Sequence, residues 1–106
     1  MLSNNYDLVY ICYPYSGKDV KTIKKNINKA NDWAQEIHDV NSSVIPIVPH
    51  NQFPYLLGKE TQEIRDWALW ADLSILEKCD ALIVCYKFPT PGMRKEISFA
   101  KEKNID

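Results

Sequence analysis

The sequence predicts a three-layer α/β domain built on a parallel sheet, and two observations carry that prediction. Short β-branched and aromatic runs alternate with segments whose apolar residues recur every three or four positions. The alternation runs βαβαβα, and strands separated by whole helices need parallel crossovers, with the helices packed on the sheet. Residues 1–106 fit one domain, because a single core serves chains of up to roughly 150–200 residues.

The first strand is Asp7 to Tyr13, an apolar and aromatic run of the kind buried on both faces. Pro14 ends it, since proline cannot donate to a ladder. The first helix spans Val20 to Ile37, with Val20, Ile23, Ile27, Ala30, Trp33, Ala34 and Ile37 as its apolar stripe. Ser43 to Val48 is the second strand, and its internal Pro46 predicts an edge position or a bulge. A loop follows from Pro49 to about Lys59. Thr61 is placed to cap the second helix, whose stripe is Ile64, Trp67, Ala68, Ala71 and Ile75. Asp80 to Tyr86 is the third and most hydrophobic strand, opened by Asp80 as a turn or cap residue. Thr90 caps the third helix, which runs to about Lys103. Pro91 takes the first helical position, where its missing N–H costs nothing. The pattern holds no fourth strand. It predicts a sheet edge left bare or completed by a partner, and hence a homo-oligomer, a dimer or higher.

Hydrophobic residues make up 45% of the chain and charged residues 25%, too apolar a balance for disorder. Thirteen Lys+Arg against fourteen Asp+Glu leave a net charge of −1. That lacks the basic excess of a protein that binds polymeric nucleic acid. No apolar run approaches the ~20 residues that cross a bilayer, so no membrane association is expected. Residues 1–7 show neither the basic nor the apolar region of an export signal. Cys12, Cys79 and Cys85 are odd in number and lack metal-ligand spacing. They read as reduced thiols of a cytoplasmic protein with no metal site and no cofactor motif.

In an open parallel sheet, ligands bind beyond the carboxyl ends of the strands, where the strand order reverses. With a flavodoxin-like order 2-1-3, that crevice lies between the ends of strands one and three. Tyr13, Pro14, Tyr15 and Ser16 reach it from one side, and Thr90, Gly92 and Met93 from the other. These are candidate substrate contacts. The N-terminus of the third helix points into the same crevice, where free N–H groups favour an anionic or oxygen-rich ligand. His50, just past strand two, joins the candidates, although a lone loop histidine is by default a surface or structural residue. Ser16-Gly17-Lys18 lacks the full spacing of a phosphate loop.

Glu96 breaks the pattern of the third helix. Met93, Glu96, Ile97 and Ala100 fall within about 100° of one another on a helical wheel, so Glu96 lies on or beside the face that packs on the sheet. Either it reaches water at the stripe's margin or pairs with a neighbouring Lys or Arg, or it turns inward. An inward carboxylate needs hydrogen-bond partners, or its pKa rises.

Three stretches extend this reading. They are Tyr10-Ile11-Cys12-Tyr13-Pro14-Tyr15-Ser16, the segment from Asp72 to Val84 with Asp80 opening its strand, and Thr90-Pro91-Gly92-Met93-Arg94-Lys95-Glu96 with the helix that follows. Taken in order, they resemble the nucleoside 2-deoxyribosyltransferase superfamily, and most of all its small phage and bacterial members. The resemblance implies that Glu96 is the nucleophile, that Tyr10 orients it, and that Asp72 contacts the base and helps it leave. It places Thr90 and Gly92 in a loop that contacts phosphate or sugar. Two features depart from the family pattern: Cys12-Tyr13 stands where the family has Ala-Gly, and Thr90 stands where it has an acid or serine.

The implied chemistry is cleavage of an N-glycosidic bond. A carboxylate facing the anomeric carbon stabilises the oxocarbenium-like state and traps the sugar covalently. The substrate is then a nucleoside or nucleotide, the acceptor a second base or water, and no cofactor is required. Two other readings remain open at this point. One is a non-catalytic nucleotide-binding module of the same fold. The other is an assembly protein that uses the third-strand edge and Trp70 as an interface.

Overall fold

Strand β1 (Asp7–Cys12) is the middle of a three-stranded sheet and is flanked by β2 (Val44–Ile47) and β3 (Ala81–Val84). Both neighbours run parallel to it, in the order β2-β1-β3. The computed structural model describes residues 7–15, 19–51 and 61–105. Helix α1 (Val20–Val40) connects β1 to β2, α2 (Gln62–Leu76) precedes β3, and α3 (Pro91–Glu102) follows it. A single 3₁₀ turn, Pro49–Asn51, opens the segment after β2. The α/β class and the strand order are those the sequence predicts.

Alternation along β1 divides the core into two layers. Ile11 packs with Ala30, Ala34 and Val48 on the α1 side. Tyr10 and Cys12 pack with Leu76, Met93 and Ala100 on the side of α2 and α3. All three β1 residues are fully buried, and each large side chain of this kind contributes about 1.5–3 kcal/mol of hydrophobic stabilisation. The register sets Tyr10 beside Ile47 and Leu82, so the strand that carries the tyrosine is held from both sides.

The helix starts follow local chemistry. Asp19, Thr61 and Thr90 accept from the backbone N–H groups of Thr22, Ile64 and Met93 at 2.8, 3.2 and 3.2 Å. A cap of this kind stabilises a helix by ~1 kcal/mol. Pro46 sits on an edge strand, opposite Val9. Asp80 joins the starts of β1 and β3: its carboxylate accepts from the Leu8 N–H at 2.8 Å, and its own N–H donates to the Leu8 carbonyl at 2.7 Å.

Three expectations need correction. Trp67 and Trp33, predicted in the helix stripes, are 44% and 40% exposed. The inward positions are taken by small residues, Ala30, Ala34 and Ala71, which let the helices approach closely and leave the tryptophans at the margin. The third strand is shorter than its hydrophobic run, and Ile83 and Val84 are exposed. The cause is position: among the described residues no strand pairs beyond β3. Trp70, off the stripe, is exposed as expected. Among the described residues no helix is long and apolar enough to cross a membrane.

The bond from the Leu8 N–H to the Asp80 carboxylate predicts that Asp80→Ala lowers stability by about 1–2 kcal/mol. Urea unfolding checks this through a lower midpoint at unchanged slope; an unmoved midpoint contradicts it.

Candidate active site

The site is built where β1 meets α3. Tyr10 and Cys12 are two residues apart on β1, so both side chains project to the same face of the sheet. On α3, Met93, Glu96 and Ala100 are the buried positions, the spacing of one helical face. Side chains on a helix lean toward its N-terminus, which carries the Glu96 carboxylate back toward the end of β1. There the Tyr10 hydroxyl donates to Oε2 of Glu96. The Cys12 thiol lies 3.7 Å from Oε1, at donor distance for sulfur. Both oxygens of the carboxylate are thus held from the sheet side.

Asp72, on α2, is the second acid. Its Oδ1 is buried and has no hydrogen-bond partner among the described residues. No salt bridge to either carboxylate occurs among those residues; the ion pair there is Lys103 with Glu77, at 3.9 Å on the surface. Burial therefore acts without a neutralising cation. It raises Glu96 to about 7 against the opposing hydrogen bonds from Tyr10 and Cys12. Burial, and then the charge of Glu96, raises Asp72 to about 7 as well. Tyr10 moves far up, through burial first and then the Glu96 charge, so it stays a hydroxyl donor. Cys12 moves up for the same reasons and stays a thiol.

A cavity of about 380 Å³ opens against these groups. Glu96, Met93, Gly92 and Thr90 line it from α3 and its cap, and Asp72 from α2. Tyr13 and Tyr15 line it from beyond β1, and His50 from the 3₁₀ turn. Its size falls in the range of small-molecule sites, about 300–1,000 Å³. Eight of the residues expected from sequence therefore meet at one cavity. Tyr10 lies behind Glu96, fully buried, and does not line the cavity. Pro14 is also outside the lining; its carbonyl accepts a hydrogen bond from His50 Nε2 at 3.0 Å. Ser16 lies outside the described residues.

Part of the wall is formed by residues that no motif singles out. Gln62, Arg65 and Leu69 of α2 line the cavity with Asp72, as does Lys95 of α3. Positions 62, 65, 69 and 72 are spaced by three and four, so a second stripe beside the apolar one was available as a signal. The side-chain amide of Asn26 donates to the Tyr15 carbonyl at 3.1 Å and fixes the cavity-side backbone to α1. Gly92 has open space where a Cβ would sit, with Thr90 Oγ1 the nearest atom at 4.0 Å. Packing within the protein thus leaves this position free, and a ligand approaching the α3 N-terminus would use the room. No group of three His, Cys, Asp or Glu side chains able to hold a metal occurs among the described residues.

A family model described as a domain of unknown function (DUF7768) matches residues 7–106, so the chain belongs to that family. No curated protein and no solved structure matches it.

The buried acids tie stability to pH. Glu96 titrates near 7 in the fold instead of at its ordinary 4.5, so the fold favours its protonated form. That contribution is complete below 4.5 and is lost as pH rises through about 7. Its full size is on the order of 3 kcal/mol. Glu96→Gln keeps an acceptor for Tyr10 but carries no charge. The variant is expected to be more stable than the parent at pH 8, with the difference vanishing near pH 4.5. His50 is held below its ordinary 6.5 and shifts both proteins alike, so the difference reports Glu96 together with its charge coupling to Asp72. Chemical denaturation across this range checks it; a variant less stable than the parent at pH 8 contradicts it.

Proposed function

We propose that this DUF7768 member cleaves the N-glycosidic bond of a deoxynucleoside or deoxynucleotide, with Glu96 as the nucleophile. The observation that carries the proposal is the buried Glu96 carboxylate on the cavity wall, held from behind by Tyr10 and Cys12. Asp72 in the same cavity supplies the second acid. The likeness of three ordered sequence stretches to nucleoside 2-deoxyribosyltransferases supports the same reading.

The chemistry runs in two displacements. A Glu96 oxygen bonds to the anomeric carbon as the carbon–nitrogen bond breaks, and its electron pair leaves on the base nitrogen. Asp72, protonated, gives that nitrogen its proton. A second base or water then attacks the anomeric carbon, Asp72 takes a proton back, and Glu96 departs as carboxylate. Tyr10 keeps Glu96 in line throughout, since orientation supplies much of such a rate. Arg65 and Lys95 on the cavity wall favour a substrate that carries a phosphate. The exposed Ile83 and Val84 of β3 support association of copies along that edge. Within this proposal the protein acts in the cytoplasm as a homo-oligomer.

A second reading rests on Tyr13. Its ring occupies the cavity where the resembling family has glycine, which suits a nucleotide-binding module without chemistry.

Incubation with the 2′-deoxynucleosides and their 5′-monophosphates, with and without a second free base, tests the two. Chromatography is expected to show base released or exchanged. The rate is expected to peak near neutral pH, because Glu96 must be ionised and Asp72 protonated while both titrate near 7. Glu96→Gln is expected to lower the rate by about 10³-fold or more. Undiminished turnover in the variant overturns the mechanism; tight binding by the parent with no base released favours the second reading.

A further inference from the structure

The outer face of α1 carries a charge pattern that the cavity and its chemistry do not use. Ile23, Ala30 and Ala34 bury the inner face of this helix, which packs on β1, β2 and the 3₁₀ turn. Lys21, Lys25, Lys29, Asp32, Glu36 and Asp39 are all exposed. They fall within about 80° of one another on the helical wheel, opposite the buried face. The lysines take the N-terminal half of this stripe and the acids its C-terminal half. Asp39 accepts from the Gln35 amide at 2.8 Å, and none of these charges forms a salt bridge among the described residues.

Within one copy this order is unfavourable. The helix dipole favours acids in the first turn and cations in the last, the reverse of what α1 carries. Lys21 with Lys25, Lys25 with Lys29, and Asp32 with Glu36 are like charges one turn apart, which repel. A second copy turns the repulsion into attraction. A two-fold axis lays the two helices antiparallel, so a stripe that runs basic to acidic meets itself running acidic to basic. We propose that two copies of this chain pair through the outer face of α1, with the two-fold axis between Lys29 and Asp32. Lys21 then faces Asp39 of the second copy, Lys25 its Glu36 and Lys29 its Asp32. A slide of one turn leaves a layer of these pairs unmade, which fixes the register. Trp33 borders the stripe beside its centre and is 40% exposed. The symmetry sets both Trp33 rings on the same flank of the seam, about 8 Å apart along the axis, where an interface draws most from a tryptophan. A net charge of −1 adds no strong repulsion between copies. No α1 residue lines the cavity, so this contact is separate from the candidate active site and does not depend on the glycosidic reading. It is also separate from the β3 edge.

Sedimentation of the full chain tests it. The parent is expected to dimerise below about 1 mM chain at about 20 mM salt. Its dissociation constant is expected to rise about tenfold or more at about 500 mM salt, because exposed charge pairs are screened. Two reversed variants give the sharper comparison. Lys21→Glu/Lys25→Glu/Lys29→Glu has an acidic stripe throughout, and Asp32→Lys/Glu36→Lys/Asp39→Lys a basic one. Each alone is expected to be a monomer, and their equimolar mixture is expected to form a one-to-one heterodimer at low salt. Circular dichroism checks that both keep their helices. Cross-linking of the parent gives a reading that does not depend on the variants folding. A carbodiimide joins a lysine amine to a carboxylate only where the two touch. Within one helix Lys25 and Glu36 lie about 16 Å apart along the axis, and Lys21 and Asp39 about 27 Å. Links between these pairs, carrying both labels in a mixture of ¹⁴N and ¹⁵N chains, are therefore expected between copies. A parent that stays monomeric at low salt, a dimer indifferent to salt, a reversed variant that dimerises alone as the parent does, a folded mixture that stays monomeric, or the absence of both mixed-label links overturns the inference.

Discussion

The hydrogen bond from Tyr10 to Glu96 joins the centre of the sheet to the helix behind it. Tyr10 is fully buried on the strand that both neighbours pair with, so the backbone that carries its hydroxyl is held from both sides. Glu96 stands where an apolar residue would pack as well, on the inward face of α3 with Met93 and Ala100. A carboxylate there opposes folding once ionised, and no cation offsets it among the described residues. The bond to Tyr10 keeps the acid in place but leaves it close to half-protonated near neutrality. That combination of fixed position and soft proton suits a nucleophile more than a structural brace.

Asp72 extends the same logic. Asp72 lines the same cavity, and the charge of Glu96 helps raise it, so an ionised Glu96 favours a protonated Asp72. The surroundings of the two acids differ. Glu96 has both oxygens engaged by β1, which favours its charge, whereas Asp72 Oδ1 has no donor. The wall of Tyr13, Tyr15 and His50 is of a different character, aromatic and neutral at pH 7. One cavity thus combines an acidic wall with an aromatic one.

Much of the frame was legible in the residues. Proline and threonine at the α3 start, proline in β2 and the Asp80 turn each act through local chemistry, and each appears where the chain implied. The wheel through Met93, Glu96 and Ala100 marked Glu96 as inward or marginal, and the resemblance set Tyr10 behind it. Neither periodicity nor spacing could show that the two touch, because that contact spans 86 positions and depends on the helix-to-sheet docking. The same holds for His50 and the Pro14 carbonyl, brought together by the 3₁₀ turn. Trp33 and Trp67 misled for the opposite reason: their apolar area suggested core, but close packing through alanines left them at the helix margins. The α2 stripe through Gln62, Arg65 and Asp72 was present in the spacing and was hidden by the stronger apolar pattern beside it.

The nucleophilic role proposed for Glu96 can be tested directly by trapping. A 2-fluoro-2-deoxy nucleoside analogue slows both displacements, and with a good leaving base the first outpaces the second, so a glycosyl–carboxylate ester accumulates. Mass spectrometry of the intact chain followed by peptide mapping then locates it. One fluorodeoxyribosyl group is expected, attached to Glu96 and absent from Glu96→Gln. An adduct on another residue, or none under conditions where the base is released, would contradict a covalent role for this carboxylate.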